Sequence, residues 1–219
     1  MNSCVIIGDI VKSRKLEDLP AVVGRLKQAL GRVNRRYRGE LVGAFKVFAG
    51  DSFEGVLRTP RHAYDVYREV ATALRPVRAR CVVALGEITD LADGNVLEMN
   101  GPVFERAAEA LRELGTPRKP RIHLLFISDD PEADSTLNAI AALIDHARQS
   151  WNDRTYAIYE RYGKDLVETA ADDLGIPRET FSRHIGARGI DAVVQGEKEL
   201  RRQLERISAC DVFSSHVDM

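Results

Sequence analysis

A chain of 219 residues with 44% hydrophobic content is long enough to bury one large core or two small ones. Its 32 basic and 33 acidic side chains leave a formal net charge of -1, so no overall field draws it to nucleic acid or membrane, and any basic surface must be local. Cys4, Cys81 and Cys210 are widely separated and lack CxxC spacing, which argues against a disulfide framework and a zinc site and makes a reducing cytoplasm the simplest setting. Val5–Ile7 is too short for a signal-peptide core, and no later run approaches the ~20 apolar residues of a membrane helix.

In chain order, the β-branched run at 4–7 predicts a buried strand that ends at Gly8-Asp9. Leu19, Val22, Val23, Leu26, Leu30 and Val33 recur at helical spacing, which predicts an amphipathic helix over 18–37 with arginines on its far side. Strands follow at 41–48 and 52–57, joined by a hairpin at Gly50-Asp51. Thr59-Pro60 opens a helix that runs to Leu74. A strand at 78–88, a polar loop at 89–100, a helix at 102–114 ending near Gly115, Pro117 and Pro120, and a fifth strand at 121–127 complete the mixed part. This order predicts an α+β fold: an antiparallel sheet with helices on one face.

From residue 133 the strand signal disappears. Helices are predicted at 133–149, at 155–163 and three times within 166–207, which divides the chain into an α+β domain over 1–150, an all-α domain over 151–207 and a frayed tail over 208–219. Trp151, the one tryptophan, is expected to pack the two domains together.

In "ETAADDLGIPRETFSRHI" (168–185), Ala171 lets two helices approach, Gly175 permits a left-handed turn and Pro177 suits the first turn of a second helix. Leu174 and Ile176 are expected to bury, and Phe181 and Ile185, four apart, to face inward together. The stretch resembles the A-x-x-L-G-I-x-x-x-T-hydrophobic-S-R string of bacterial helix-turn-helix regulators. On that reading Arg178, Thr180, Ser182, Arg183 and His184 face outward as DNA contacts, with Arg183 foremost; a plain helical hairpin with a solvated face is the other reading. Leu200, Leu204 and Ile207 form a stripe that either packs within the chain or pairs two subunits of a homodimer.

Asp9 follows a buried strand, and Asp51 sits in the hairpin expected beside it. Two such carboxylates can hold a divalent ion and a triphosphate, whereas each alone reads as an ordinary turn residue. Lys12, Ser13 and Arg14 stand where the chain is expected to enter a helix, placed to meet phosphate oxygens. The five histidines show no metal-ligand spacing.

"IIGDIVKSRKL" (6–16), "GDSF" (50–53), "ALGEI" (84–88) and "NGPVFERAAEAL" (100–111), followed by the turn-helix segment, resemble the SatD family of bacterial proteins. The first three segments are also distantly similar to class III nucleotide cyclases, and "AGDSF" to the hairpin of diguanylate cyclases, which share a ferredoxin-like core. The resemblance implies a ferredoxin-like, cyclase-like sheet and a Mg²⁺ or Mn²⁺ site at Asp9 and Asp51 assisted by the Ile10 carbonyl, with Lys46 near the place of the cyclase base-recognising lysine. Glu105 and Glu109 stand where the cyclase pattern has Asn and Arg, adding negative charge where phosphoryl chemistry needs neutralisation.

These readings point first to a cytoplasmic, dimeric transcription regulator with a nucleotide- or metal-sensing domain and a DNA-binding domain. The alternatives are a metal-dependent nucleotidyl or phosphoryl transfer enzyme using Asp9 and Asp51, with Glu105 or Glu87 as base, and a dimerisation scaffold without catalysis.

Overall fold

The computed structural model describes residues 2–91, 94–114, 122–162 and 164–214. Two compact units result, one built from the chain up to Ala139 and from Arg201 onward, the other from Ile140–Leu200.

In the first unit β1 (Asn2–Ile10) leads through a 3₁₀ turn at Ser13–Lys15 into α1 (Leu19–Arg36). Asp18 caps α1 by accepting the Ala21 N–H at 3.0 Å, and Pro20 occupies the first turn, where a missing N–H costs nothing. Val22, Leu26, Ala29, Leu30 and Val33 form its buried stripe. β2 (Leu41–Phe48) and β3 (Ser52–Leu57) make the expected hairpin; the loop turns through positive φ at Ala49 (48°) and Gly50 (87°). α2 (Ala63–Leu74), β4 (Ala79–Glu87), α3 (Pro102–Leu114) and β5 (Leu124–Ile127) follow. Positions 115–121, which hold the expected end of α3 and start of β5, lie outside the described residues, as do 215–219 of the expected tail, whose residues 208–214 continue the last helix.

The strands form one five-stranded sheet in the order β2-β3-β1-β4-β5. The first four pair antiparallel, but β5 runs parallel to β4, so the sheet is mixed where the sequence predicted an antiparallel one. The connection through α3 is the long crossover a parallel pair requires.

A second correction concerns the covering of the sheet. Val5 and Ile7 of β1 and Val82 and Ala84 of β4 gather with Val103 and Ala107 of α3, while the alternate residues Cys4, Ile6, Cys81 and Val83 are equally buried. Successive side chains point to opposite faces, so both faces are covered instead of one. α1 and α2 pack on each other and on β2 and β4.

Each edge of the sheet is closed by an asparagine. Asn34 of α1 bonds both the N–H and the C=O of Phe45 on β2, at 2.8 and 2.9 Å. Asn138, on α4 (Pro131–Arg148), does the same for Phe126 of β5, at 2.7 and 2.8 Å. Both amides satisfy backbone groups that would otherwise invite another strand.

The second unit is helical. It holds the end of α4, then α5 (Asp153–Arg161), α6 (Val167–Asp173), α7 (Arg178–Ala187) and the start of α8 (Ile190–Ser214). Trp151 belongs to this unit: its indole N–H donates to the Arg188 carbonyl at 2.9 Å, and its ring meets Tyr156 and Tyr159 at 5.3 Å. Beneath it, Glu197 accepts from Arg148 and from the Tyr159 hydroxyl, a buried ion pair completed by a phenol. Leu200 and Leu204 are fully buried within the chain. Among the described residues no helix is long and apolar enough to cross a membrane.

Candidate functional site

The register of the sheet sets the surroundings of Asp9. It lies opposite Ser52 of β3 on one side and Arg80 of β4 on the other. The hairpin loop is tied to it, because the Ile10 N–H donates to the Asp51 carbonyl at 3.1 Å. The loop that carries Asp51 therefore lies at the end of the sheet where Asp9 stands.

Sequence reasoning missed Arg80. Its Nε donates to Asp9 Oδ1 at 2.9 Å and its Nη2 to Oδ2 at 2.6 Å, a two-pronged pair with each side chain about one-fifth exposed. Both Asp9 oxygens are thus engaged by a cation the chain supplies itself. Asp51 is half-buried, and the Ser52 hydroxyl lies 3.4 Å from its Oδ1. No cluster of three or more His, Cys, Asp or Glu gathers to hold a metal among the described residues. Arranged in this way, the pair does not fit a resident Mg²⁺ or Mn²⁺, which would have to displace the guanidinium from Asp9.

Of the other residues of the expected nucleotide site, Lys12, Ser13 and Arg14 follow closely on β1 and Lys46 lies on β2. Lys12 adopts a left-handed conformation (φ 56°) ahead of the short 3₁₀ turn, with Ser13 buried and Arg14 exposed. The α-helix starts only at Leu19, where the Asp18 carboxylate already caps it. The Lys46 amine donates to Asn95 Oδ1 at 2.8 Å. Glu105 and Glu109 are exposed on α3, which buries Val103 and Ala107 instead. Glu87 pairs with Asn2 at the far end of β1, seven residues from the Arg80–Asp9 pair and so roughly 20 Å or more away, which removes it as a base acting at Asp9.

Glu54 lies opposite Ile7 and Lys46. Burial pushes its carboxyl above the ordinary range. An acid whose folded value is raised holds its proton longer in the folded state, so this group lowers stability as pH rises from its unfolded value through its folded one. Glu54→Gln is therefore expected to raise the melting temperature at pH 8 more than at pH 4; an equal rise at both would show that ionisation is not the cause.

In the helical unit α6 and α7 pack together and α5 packs on α7. α6 ends in a left-handed glycine: Gly175 has φ 62°, its N–H donates to the Asp172 carbonyl at 2.9 Å, and the Ile176 N–H reaches the Ala171 carbonyl at 3.1 Å. Pro177 then leads into α7. Ala170, Ala171 and Phe181 are buried at the contact, while Leu174, Ile176 and Ile185 are only half-buried, less than their pattern predicted. Arg178, Ser182 and Arg183 are exposed; Thr180 and His184 are half-buried. Arg178 forms an ion pair with Glu168 at 2.5 Å.

No curated protein matches the chain. Among solved structures, the regulator of polyketide synthase expression from Bifidobacterium adolescentis is 16% identical, over 96% of this chain and 82% of that one, with a TM-score of 0.30. The likeness is too slight to carry fold or function. A family model described as the SatD family matches residues 3–172, from β1 into α6 and stopping short of α7. That match spans well over half the chain and includes all four segments that carried the resemblance, so the chain belongs to the SatD family.

Proposed function

We propose that the protein is a cytoplasmic DNA-binding regulator that reads DNA through α7 and senses a small ligand through its sheet unit. The observation that carries this reading is the α6–α7 pair: small buried alanines, a left-handed Gly175, and a buried Phe181 that turns Ser182 and Arg183 outward. These are the elements of a helix-turn-helix, whose second helix enters the major groove. Arg183 supplies a forked donor for a guanine edge or a phosphate. The surface pair of Arg178 with Glu168 is worth under about 1 kcal/mol, so a DNA phosphate can take that guanidinium over. On this reading the protein works as a homodimer, with its two copies of α7 about 34 Å apart on successive turns.

For the sheet unit we adopt a ferredoxin-like, cyclase-related core. The strand–helix–strand–strand–helix–strand run and the order β2-β3-β1-β4 support it. The hold of Arg80 on both oxygens of Asp9, and the exposure of Glu105 and Glu109, favour sensing over phosphoryl or nucleotidyl transfer. A ligand acts on such a regulator only by binding its two states unequally.

Gel shift of genomic fragments tests the proposal. Binding is expected at about 50 mM salt and should weaken steeply toward about 200 mM as counterion release is lost. Arg183→Ala should cost about tenfold in affinity without moving the melting temperature. Folded protein that binds nothing at low salt would leave the dimerisation scaffold as the better description.

A further inference from the structure

α7 is fastened near its start by packing. Phe181, in its first turn, is the one residue of this helix that is buried, whereas Thr180, His184 and Ile185 are half-buried and the rest are exposed. A helix held by one side chain can pivot about it.

The far end of α7 is held by a hydrogen bond. Arg188, seven residues beyond Phe181 and so about 10 Å along the axis, closes the last turn, where a helix leaves its final carbonyls without intrahelical partners. The Trp151 indole N–H donates to the Arg188 carbonyl at 2.9 Å, and the chain then turns through Gly189 (φ 61°) into α8. The Arg188 N–H itself donates to the His184 carbonyl at 3.0 Å, so the indole bond closes onto the helix backbone and not onto a loop.

Trp151 is fixed in its turn. Its buried ring meets Tyr159 on one side, and the Arg148 guanidinium lies 5.7 Å from its centroid. Arg148 donates to the Tyr159 hydroxyl at 2.7 Å and pairs with the buried Glu197, which also accepts from that hydroxyl. A buried ion pair is weak evidence of stability, but a satisfied polar network favours one arrangement of the elements it joins. The bland explanation is that ring and network fill the core of the helical unit. That accounts for the ring and not for its N–H, since a phenyl would pack there without a donor aimed at the last carbonyl of α7.

We propose that Trp151 is a positioning residue: its indole N–H pins the C-terminal end of α7, so that the helix is held at two points and Ser182 and Arg183 keep a single pose between them. The functional side of this inference rests on the reading of α7 as the helix that meets DNA. Base edges are read through hydrogen bonds of about 2.7–3.2 Å that weaken steeply when misaligned, so a helix free to pivot about Phe181 would read them poorly.

Trp151 is the only tryptophan in the chain, so benzothienylalanine can replace it at that position alone, exchanging the N–H for a sulfur in a ring of the same shape. Hydrogen exchange of the full chain, followed by NMR, should then run about two- to tenfold faster at the Arg188 and Gly189 amides. The Phe181 amide, whose partner is the Pro177 carbonyl, should exchange at its wild-type rate. Trp151→Phe should have the same effect, whereas Tyr159→Phe, which leaves the indole bond in place, should not. In gel shifts the analogue should weaken DNA binding by a similar factor. The inference is overturned if the Arg188 and Gly189 amides keep their wild-type rates in the analogue, if Tyr159→Phe speeds those two amides selectively as much, or if they speed up and DNA binding does not weaken. Folded wild-type protein that binds no DNA counts against the reading of α7 and leaves the pin to be decided by the exchange rates, so the two failures are distinguishable.

Discussion

Phe181→Ala is expected to destabilise the helical unit by about 3–5 kcal/mol and, if α7 reads DNA as proposed, to abolish that binding with it. The ring is completely buried, at the place where α5 and α6 both pack on α7. Truncation removes the largest apolar side chain that α7 buries, and the surroundings cannot close over the space: Ala170 and Ala171, which admit the neighbouring helix, have no volume to give. Thermal or urea denaturation followed by far-UV circular dichroism measures the loss. The comparison with Arg183→Ala is informative. The arginine is exposed and its removal should weaken the proposed DNA binding at unchanged stability, while loss of the phenylalanine should lower both. A melt unchanged by Phe181→Ala would contradict the packing described for α7.

The second large effect belongs to the pair that occupies the sheet end. Asp9→Ala leaves the Arg80 guanidinium half-buried without its carboxylate, and about 2–3 kcal/mol of stability should go with it. The figure is below the roughly 3–5 kcal/mol of a fully buried pair because about one-fifth of each side chain is exposed. Arg80→Met should cost a comparable amount, and the double variant clearly less than the sum, since once one partner is gone the other no longer has anything to lose. The same variants probe the cation question. With Arg80 replaced, both Asp9 oxygens are released near the Asp51 loop, and Mn²⁺ should bind more tightly to Arg80→Met than to the wild type. Strictly additive costs, or equal Mn²⁺ affinity, would show that Arg80 does not hold the place of a metal.

The local signals explain why the elements themselves were legible. The hairpin strands begin and end where alternation and Gly50-Asp51 place them, because both signals are carried by neighbouring residues. That the hairpin loop would lie beside the end of β1 was legible as well, through two short motifs that resemble one family. The covering of both sheet faces was present but unread: "CVII" and "CVVAL" are unbroken apolar runs, the pattern of a strand buried on both sides.

Arg80 is a different case. Nothing near residue 80 says that it will lie opposite Asp9; that follows from the β1–β4 register, a pairing between residues 71 apart in the chain. Trp151 shows the same limit, since a position at a predicted boundary says nothing about which unit will accept its indole N–H.

The amino-acid sequence by itself therefore determined the α+β-then-helical order, the hairpin at Gly50-Asp51 and the left-handed turn at Gly175, because periodicity, glycine and turn chemistry act over a few residues. Only the tertiary structure decided the parallel pairing of β5, the closing of Asp9 by Arg80 and the bond from the Trp151 indole to the end of α7. Each of these depends on register and packing between segments distant in the chain, where small differences in buried area and charge pairing choose among arrangements that the local pattern leaves equal.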